Sequence, residues 1–167
     1  MQSKNPESYM FHTVNQHLTE LQAQAMEKEV VVAQTMGYKE EELDDLEETL
    51  SRLDIAGLVT GAIASQYQKQ RIDKISRRLN LSHLSPLWGR DRVELMTELL
   101  DSGVDFIFSA VAAYGLDDTW LGKRCDQSRL IKLVELNRLY SVDVCGEGGE
   151  YESMVLDAPL FKKRLEI

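Results

Sequence analysis

The residues with the densest chemistry lie side by side, in Cys145-Gly146-Glu147-Gly148-Gly149-Glu150-Tyr151-Glu152-Ser153. Three glycines permit positive φ and close backbone approach, so this segment can wrap a ligand while Glu147, Glu150 and Glu152 converge on it. Carboxylates at this spacing repel one another unless a cation, a cationic substrate or a proton sits among them. The loop is therefore read as a site for something positive or for general acid–base work, with a solvated acidic turn as the plain alternative. A second segment, Gly61-Ala62-Ile63-Ala64-Ser65-Gln66-Tyr67-Gln68-Lys69-Gln70-Arg71, runs through small residues into a polar helix start. Ser65 can cap that helix, whose N-terminus favours anions, so strand-to-helix packing and nucleotide contact are both open readings. A third, Ser85-Pro86-Leu87-Trp88-Gly89-Arg90-Asp91-Arg92, joins an aromatic, a glycine and two arginines ahead of a helix. Either it touches substrate, or Asp91 merely caps the helix and pairs with a neighbouring arginine.

Other residue types exclude chemistry. His12, His17 and His83 show no metal-ligand spacing, and each reads as an ordinary packed or surface histidine, so no metal site is assigned. No Gly-x-Ser-x-Gly elbow and no Gly-x-x-x-x-Gly-Lys phosphate loop is present. Cys125 and Cys145 are too few for a disulfide framework and read as buried thiols in a reducing compartment. Tyr114-Gly115-Leu116-Asp117 and Trp120-Leu121-Gly122-Lys123 are turn-rich stretches suited to walling a pocket.

These segments need a frame. Val14, Leu18, Leu21 and Ala25 predict a helix over 13–28, and Leu43, Leu46, Leu50 and Leu53 predict one over 39–53. Val30-Val31-Val32 and residues 57–63 have the length and composition of buried strands. Helices are expected over 65–79 and 91–102, then an apolar strand at 106–113 and a helix over 126–140. Short strands are expected at 142–144 and 154–156. Helix and strand alternate, which implies an α/β fold with a mostly parallel sheet covered by helices. The first expected element is a helix with no strand ahead of it, as though the chain began mid-fold. The softest boundary falls near Ser85-Pro86, dividing the chain into 1–84 and 85–167.

Charge is distributed in blocks. Residues 39–54 hold eight acids against two bases, most simply a solvated helix face, whereas residues 68–92 hold seven bases against two acids. A basic band beside a strand end is suited to phosphate, with Arg71 and Arg90 as the arginines to face it. The whole chain of 167 residues carries a net charge of −9, which argues against non-specific binding to nucleic acid or anionic membrane. It is 43% hydrophobic and 28% charged with three prolines, enough to exclude disorder, and no run approaches the ~20 apolar residues of a membrane span. A cytoplasmic globular protein is expected.

The Gly-Glu-Gly-Gly-Glu-Tyr-Glu loop resembles that of the diphthine–ammonia ligase family. The likeness extends in order to Ser8-Tyr9-Met10-Phe11-His12, Gly61-Ala62-Ile63-Ala64-Ser65-Gln66-Tyr67-Gln68, Pro86-Leu87-Trp88-Gly89-Arg90-Asp91, Gly115-Leu116-Asp117, Trp120-Leu121-Gly122 and Leu156-Asp157-Ala158-Pro159-Leu160-Phe161. The resemblance implies a Rossmann-like sheet of the adenine nucleotide α-hydrolase type, truncated at its N-terminus, with a smaller C-terminal α/β substrate subdomain. It implies amidation of the carboxylate of diphthine, on the translocating elongation factor, by ammonia and ATP through an acyl-adenylate, with Mg²⁺ accompanying ATP. Gly61, Ala62, Ser65 and Arg71 are then expected to bind nucleotide. Glu147, Glu150 and Glu152 are the expected catalytic groups, and Trp88, Gly89, Arg90, Gly148, Gly149 and Tyr151 the expected substrate contacts. The family's Ser-Gly-Gly-Lys-Asp-Ser phosphate loop has no counterpart here. A related ligase for another carboxylate, or a nucleotide- or protein-binding remnant, stays open, and exposed apolar sheet is expected to favour self-association.

Overall fold

A computed structural model describes residues 1–6, 8, 10–11 and 13–166, so Tyr9 and His12 of the N-terminal motif lie outside the described residues. The chain forms an α/β fold in which short strands alternate with helices, and it divides into two compact units. The first unit comprises residues 1–16 and 31–89, and the second comprises 17–30 and 90–167. No described helix is long and apolar enough to cross a membrane.

In the first unit β1 (Gln2–Ser3) pairs in parallel with β2 (Gln34–Thr35), and β3 (Gly57–Val59) pairs in parallel with β4 (Ser82–Leu84). A strand therefore does precede the first helix. The valines at 30–32 are in no strand: all three are exposed and unpaired by any ladder, and the pairing falls on Gln34–Thr35 instead. A β-branched run favours extended backbone but needs a partner edge to become a strand. Helix α2 (Glu41–Ser51) carries the acidic block, and α3 (Gln66–Arg78) follows β3. Glu41, Asp44 and Glu48 of α2 are exposed as expected and Asp45 and Glu47 half-buried, but Glu42 is fully buried, its Oε2 accepting from the Ser8 hydroxyl at 2.5 Å.

The second unit holds the larger apolar core. Strands β5 (Asp105–Val111) and β6 (Tyr151–Asp157) are antiparallel, with register shifts after Asp105 and Phe108. Residues 121–125 cover the other side of β5, with Gly122 N donating to Phe108 O and Cys125 N to Phe106 O. Phe108, fully buried, meets Trp120 and Tyr151 edge to face with ring centroids 5.1 and 5.0 Å apart. Leu116 and Trp120 thus fill the core rather than wall a pocket. Helix α1 (Thr19–Ala25), shorter than 13–28 and led by a 3-10 turn, belongs to this unit. Gln22 Nε2 donates to Val155 O at 3.1 Å, and Lys162 N donates to Ala25 O.

Helices α4 (Arg92–Asp101) and α5 (Gln127–Tyr140) complete the unit. The expected strand at 142–144 joins no sheet: Val144 already belongs to a turn, and side chains take backbone groups of the segment, with Glu150 Oε1 accepting from Asp143 N and the Tyr151 hydroxyl donating to Val144 O. As expected the pairing is mostly parallel: among the described residues the strands form three two-stranded pairs, two of them parallel.

Candidate functional site

The acidic loop is a tight structure closed by its own backbone. Gly146 N donates to Asp143 O and Gly149 N to Gly146 O, each at 3.0 Å. Gly146 and Gly149 hold φ of +71° and +83°, a region open to glycine at no steric cost. A Cβ on Gly146 would stand 3.0 Å from the Tyr151 ring and carbonyl, so close approach as well as φ requires glycine there.

Within this loop the three glutamates have different surroundings. Glu150 folds back over it: Oε1 accepts from Asp143 N at 3.1 Å and Oε2 from Gly148 N at 2.9 Å. Its main-chain carbonyl accepts from Ala112 N and Ala113 N, tying the loop to the end of β5. Both oxygens are thus engaged by the loop itself. Glu147 Oε2 is buried 3.9 Å from Arg92 Nη2, and Arg92 Nε also meets Asp143 Oδ2 at 3.2 Å. Glu152 lies half-buried on β6 opposite Ala110. Arg92 therefore supplies the positive charge that lets Glu147 and Asp143 lie close together. Arg92 belongs to the Ser85–Arg92 segment and the basic block already singled out, whereas nothing in the sequence marks Asp143 as a site residue.

Tyr151 was an expected substrate contact, but its ring is in the core and its hydroxyl donates to Val144 O at 2.7 Å. Burial pushes its phenol well above the ordinary range. Cys145, beside the loop, is pushed up to about 12 by burial and then by Asp143, and Cys125 is likewise pushed up to about 12 by burial. Neither thiol has the lowered pKa that marks a nucleophilic cysteine.

In the first unit the expected nucleotide segment is a strand-to-helix crossing. Gly61 has open space where a Cβ would be, Ala62 is half-buried, and Ser65 caps α3 by accepting from Gln68 N at 3.4 Å. No acid lies in the first turn of α3. Gly89 N donates to Ile63 O, which folds the Trp88-Gly89 turn back onto the crossing, and Lys69 Nζ lies 5.6 Å from the centroid of the Trp88 ring. Arg71 does not extend freely toward this crossing: its guanidinium stacks on the Tyr67 ring at 3.4 Å and pairs with Glu40. That hydrogen bond raises the Arg71 pKa and lowers that of Glu40.

Arg78 pairs with Glu47 at 2.8 Å, so two arginines of the basic block are answered by the acidic block at 39–54. In the second unit Arg90 is held by both oxygens of Glu98, one at 2.9 Å, and Asp91 caps α4 by accepting from Val93 N and Glu94 N. The expected Asp91–arginine pair is absent from the described contacts, with Arg92 turned to Asp143 instead. The site residues thus fall into two groups: Gly61, Ala62, Ser65, Arg71, Trp88 and Gly89 in the first unit, and Arg90 with the 147–152 loop in the second.

Two family models match the chain, and residues 17–30, which belong to the second unit, fall within the first match. Residues 1–83 match the family described as the diphthamide synthase N-terminal domain, and residues 91–167 match the diphthamide synthase C-terminal domain. The chain is 38% identical to the diphthine–ammonia ligase of Homo sapiens over 175 residues, covering 95% of this chain and 65% of the relative. The Bos taurus ligase is 39% identical with the same coverage, and that of Rattus norvegicus is 38% identical over 183 residues, covering 100% of this chain and 68% of the relative. The chain therefore spans about two thirds of the length of these curated relatives.

Proposed function

Because the chain belongs to the diphthamide synthase family, we propose that it acts in the ATP-dependent amidation of diphthine, the modified histidine of the translocating elongation factor, in the cytoplasm. The observation that carries this reading is the similarity to relatives named diphthine–ammonia ligase across both family domains in order. A carboxylate is a poor acyl donor, since resonance and charge both repel a nucleophile. Attack of a carboxylate oxygen on the α-phosphorus of ATP expels pyrophosphate and makes a mixed anhydride; ammonia then attacks its carbonyl carbon and AMP leaves, and Mg²⁺ bound with ATP would screen the phosphates.

Two features of the first unit suit it to the nucleotide: Gly61 leaves the backbone open to close approach, and the acid-free first turn of α3 favours phosphate. Arg71 and Arg90 would serve phosphate only by exchanging the glutamates they now hold. In the second unit the acidic loop suits the quaternary ammonium of diphthine, which forms no strong hydrogen bond and is held by negative charge. Glu150 gives both oxygens to backbone N–H groups and Glu147 faces Arg92, so each would hold that cation or ammonium only alongside those partners.

The test supplies elongation factor bearing diphthine, ATP and ammonium to the purified protein and reads conversion of carboxylate to amide by mass spectrometry of the modified peptide. Amide that depends on both ATP and ammonium is expected; its absence, with nucleotide binding retained in calorimetric titration, would favour a second reading. That reading is a nucleotide- or protein-binding member of the family, and the observation behind it is that Arg71 and Arg90 are already paired with Glu40 and Glu98. Amide formed on another carboxylate would point to a related ligase.

A further inference from the structure

One buried side-chain cluster takes no part in the proposed site. His83, on β4, has a side chain 5% exposed, and both ring nitrogens have defined neighbours. Nδ1 lies 2.6 Å from Asp73 Oδ1. Nε2 lies 2.8 Å from Thr60 Oγ1 and 3.2 Å from Ser85 Oγ, and the two hydroxyls are 3.1 Å from each other. Behind Asp73, Lys69 Nζ donates to Oδ2 at 2.8 Å.

Donor and acceptor roles follow from this geometry. An ionised carboxylate only accepts, so Nδ1 carries the hydrogen and, in the neutral ring, Nε2 presents its lone pair. A single lone pair takes one hydroxyl at a time, leaving the second hydroxyl to donate to the first or to a ligand. When Nε2 gains a proton it becomes a donor, and the hydroxyl it faces turns its own hydrogen outward. The ring is sealed while Thr60 and Ser85 are half-buried, so the hydroxyls are the route by which a proton reaches Nε2.

The position of the cluster suits this chemistry. Thr60 directly follows β3 and precedes Gly61, and Ser85 directly follows β4. Both stand at the carboxyl ends of parallel strands, where open α/β sheets place their ligands. Among the described contacts, the charged groups facing the ring are Asp73, with Lys69 behind it, both on α3; the ends of β3 and β4 bring only hydroxyls.

We infer that His83, oriented by Asp73, is a positioning residue that accepts, through the Thr60 and Ser85 hydroxyls, the proton released by a ligand bound at the carboxyl ends of β3 and β4. In the amidation proposed above, on which the ligand's identity rests, that proton comes from the attacking nitrogen. The C–N bond forms, the C–O bond to AMP breaks, and AMP leaves with the bonding pair. One proton of the nitrogen passes to the hydroxyl as the hydroxyl's own proton passes to Nε2.

Nitrogen-15 NMR of the imidazole in the ligand-free protein tests the relay without turnover. The expected result is the Nδ1–H tautomer, with that preference lost in Asp73→Ala. An Nε2–H tautomer, or an Nδ1–H preference unchanged in Asp73→Ala, overturns the inference.

A second arm measures amide released per pyrophosphate exchanged into ATP in the intact protein. His83→Gln and Thr60→Val should lower that ratio by roughly tenfold or more and remove the acid-side fall of the pH–rate profile, while Thr60→Ser retains both. Unchanged ratios and profiles in His83→Gln overturn the relay and leave the amidation standing. If wild type forms no amide, the amidation fails instead, and the NMR result decides the relay alone.

Discussion

Glu150 illustrates how far a residue's role depends on contacts its neighbours in sequence do not show. From composition, three glutamates within six positions look equivalent, yet the oxygens of Glu150 accept two backbone N–H groups of the loop itself, one of them seven residues away. Glu150→Ala strips acceptors from Asp143 N and Gly148 N and should lower stability by about 1 kcal/mol. Glu150→Gln keeps one acceptor and should lose less; equal denaturation midpoints for Ala and wild type would remove the loop-holding role. Gly146→Ala is expected to be worse, because a left-handed residue with a side chain costs about 1–2 kcal/mol before any clash with Tyr151 is relieved.

Asp73 makes a pH prediction. Lys69 first, then His83, hold its carboxyl below the ordinary aspartate range. A depressed folded pKa means stability present above the unfolded value and lost as pH falls through the folded one. Asp73→Asn should therefore destabilise at neutral pH and show a flatter loss below about pH 4, read from urea midpoints across pH. His83 was passed over in the sequence because a lone histidine has no visible partner; residues 60, 73 and 85 gather around it only once β3, α3 and β4 are formed.

At the scale of elements, helices were the legible part. Ser65, Asp91 and Asp126 precede α3, α4 and α5, and each side chain accepts an N–H of the first turn, as their residue types suggest. Strength of capping should follow geometry. Asp91 accepts two N–H groups at 2.9 and 3.0 Å, whereas Ser65 accepts one at 3.4 Å. Asp91→Ala should cost about 1–2 kcal/mol and Ser65→Ala less, checked by thermal melts of the two variants. Strands were less legible because a strand is a pairing, and pairing is set by residues far off in sequence. The valines at 30–32 have the propensity and no partner, while Gln2–Ser3 and Gln34–Thr35 have the partner and little propensity. Residues 142–144 lost their ladder to the side chains of Glu150 and Tyr151, a competition no periodicity records.

Across the whole molecule the two units differ in what holds them. The second has a continuous core from Met96 to Tyr151 that includes three aromatic rings around Phe108, whereas the buried set of the first is small and includes Glu42, Ser3, Thr35 and Ser76. The first unit also leaves apolar surface outside. Val59 and Leu84 are register partners in the β3–β4 pair and are 71% and 62% exposed, so their side chains stand together on one uncovered face. A parallel pair of three-residue strands, open on that face, gains by burying it against another apolar surface. Self-association of the purified chain is thus expected, and Val59→Ser with Leu84→Ser should reduce it, measured as mass against concentration by light scattering. The double variant should leave the fold intact by circular dichroism, since neither side chain is buried within the chain. A wild-type chain that stays monodisperse and monomeric at high concentration would mean that this face is stable in water as it stands.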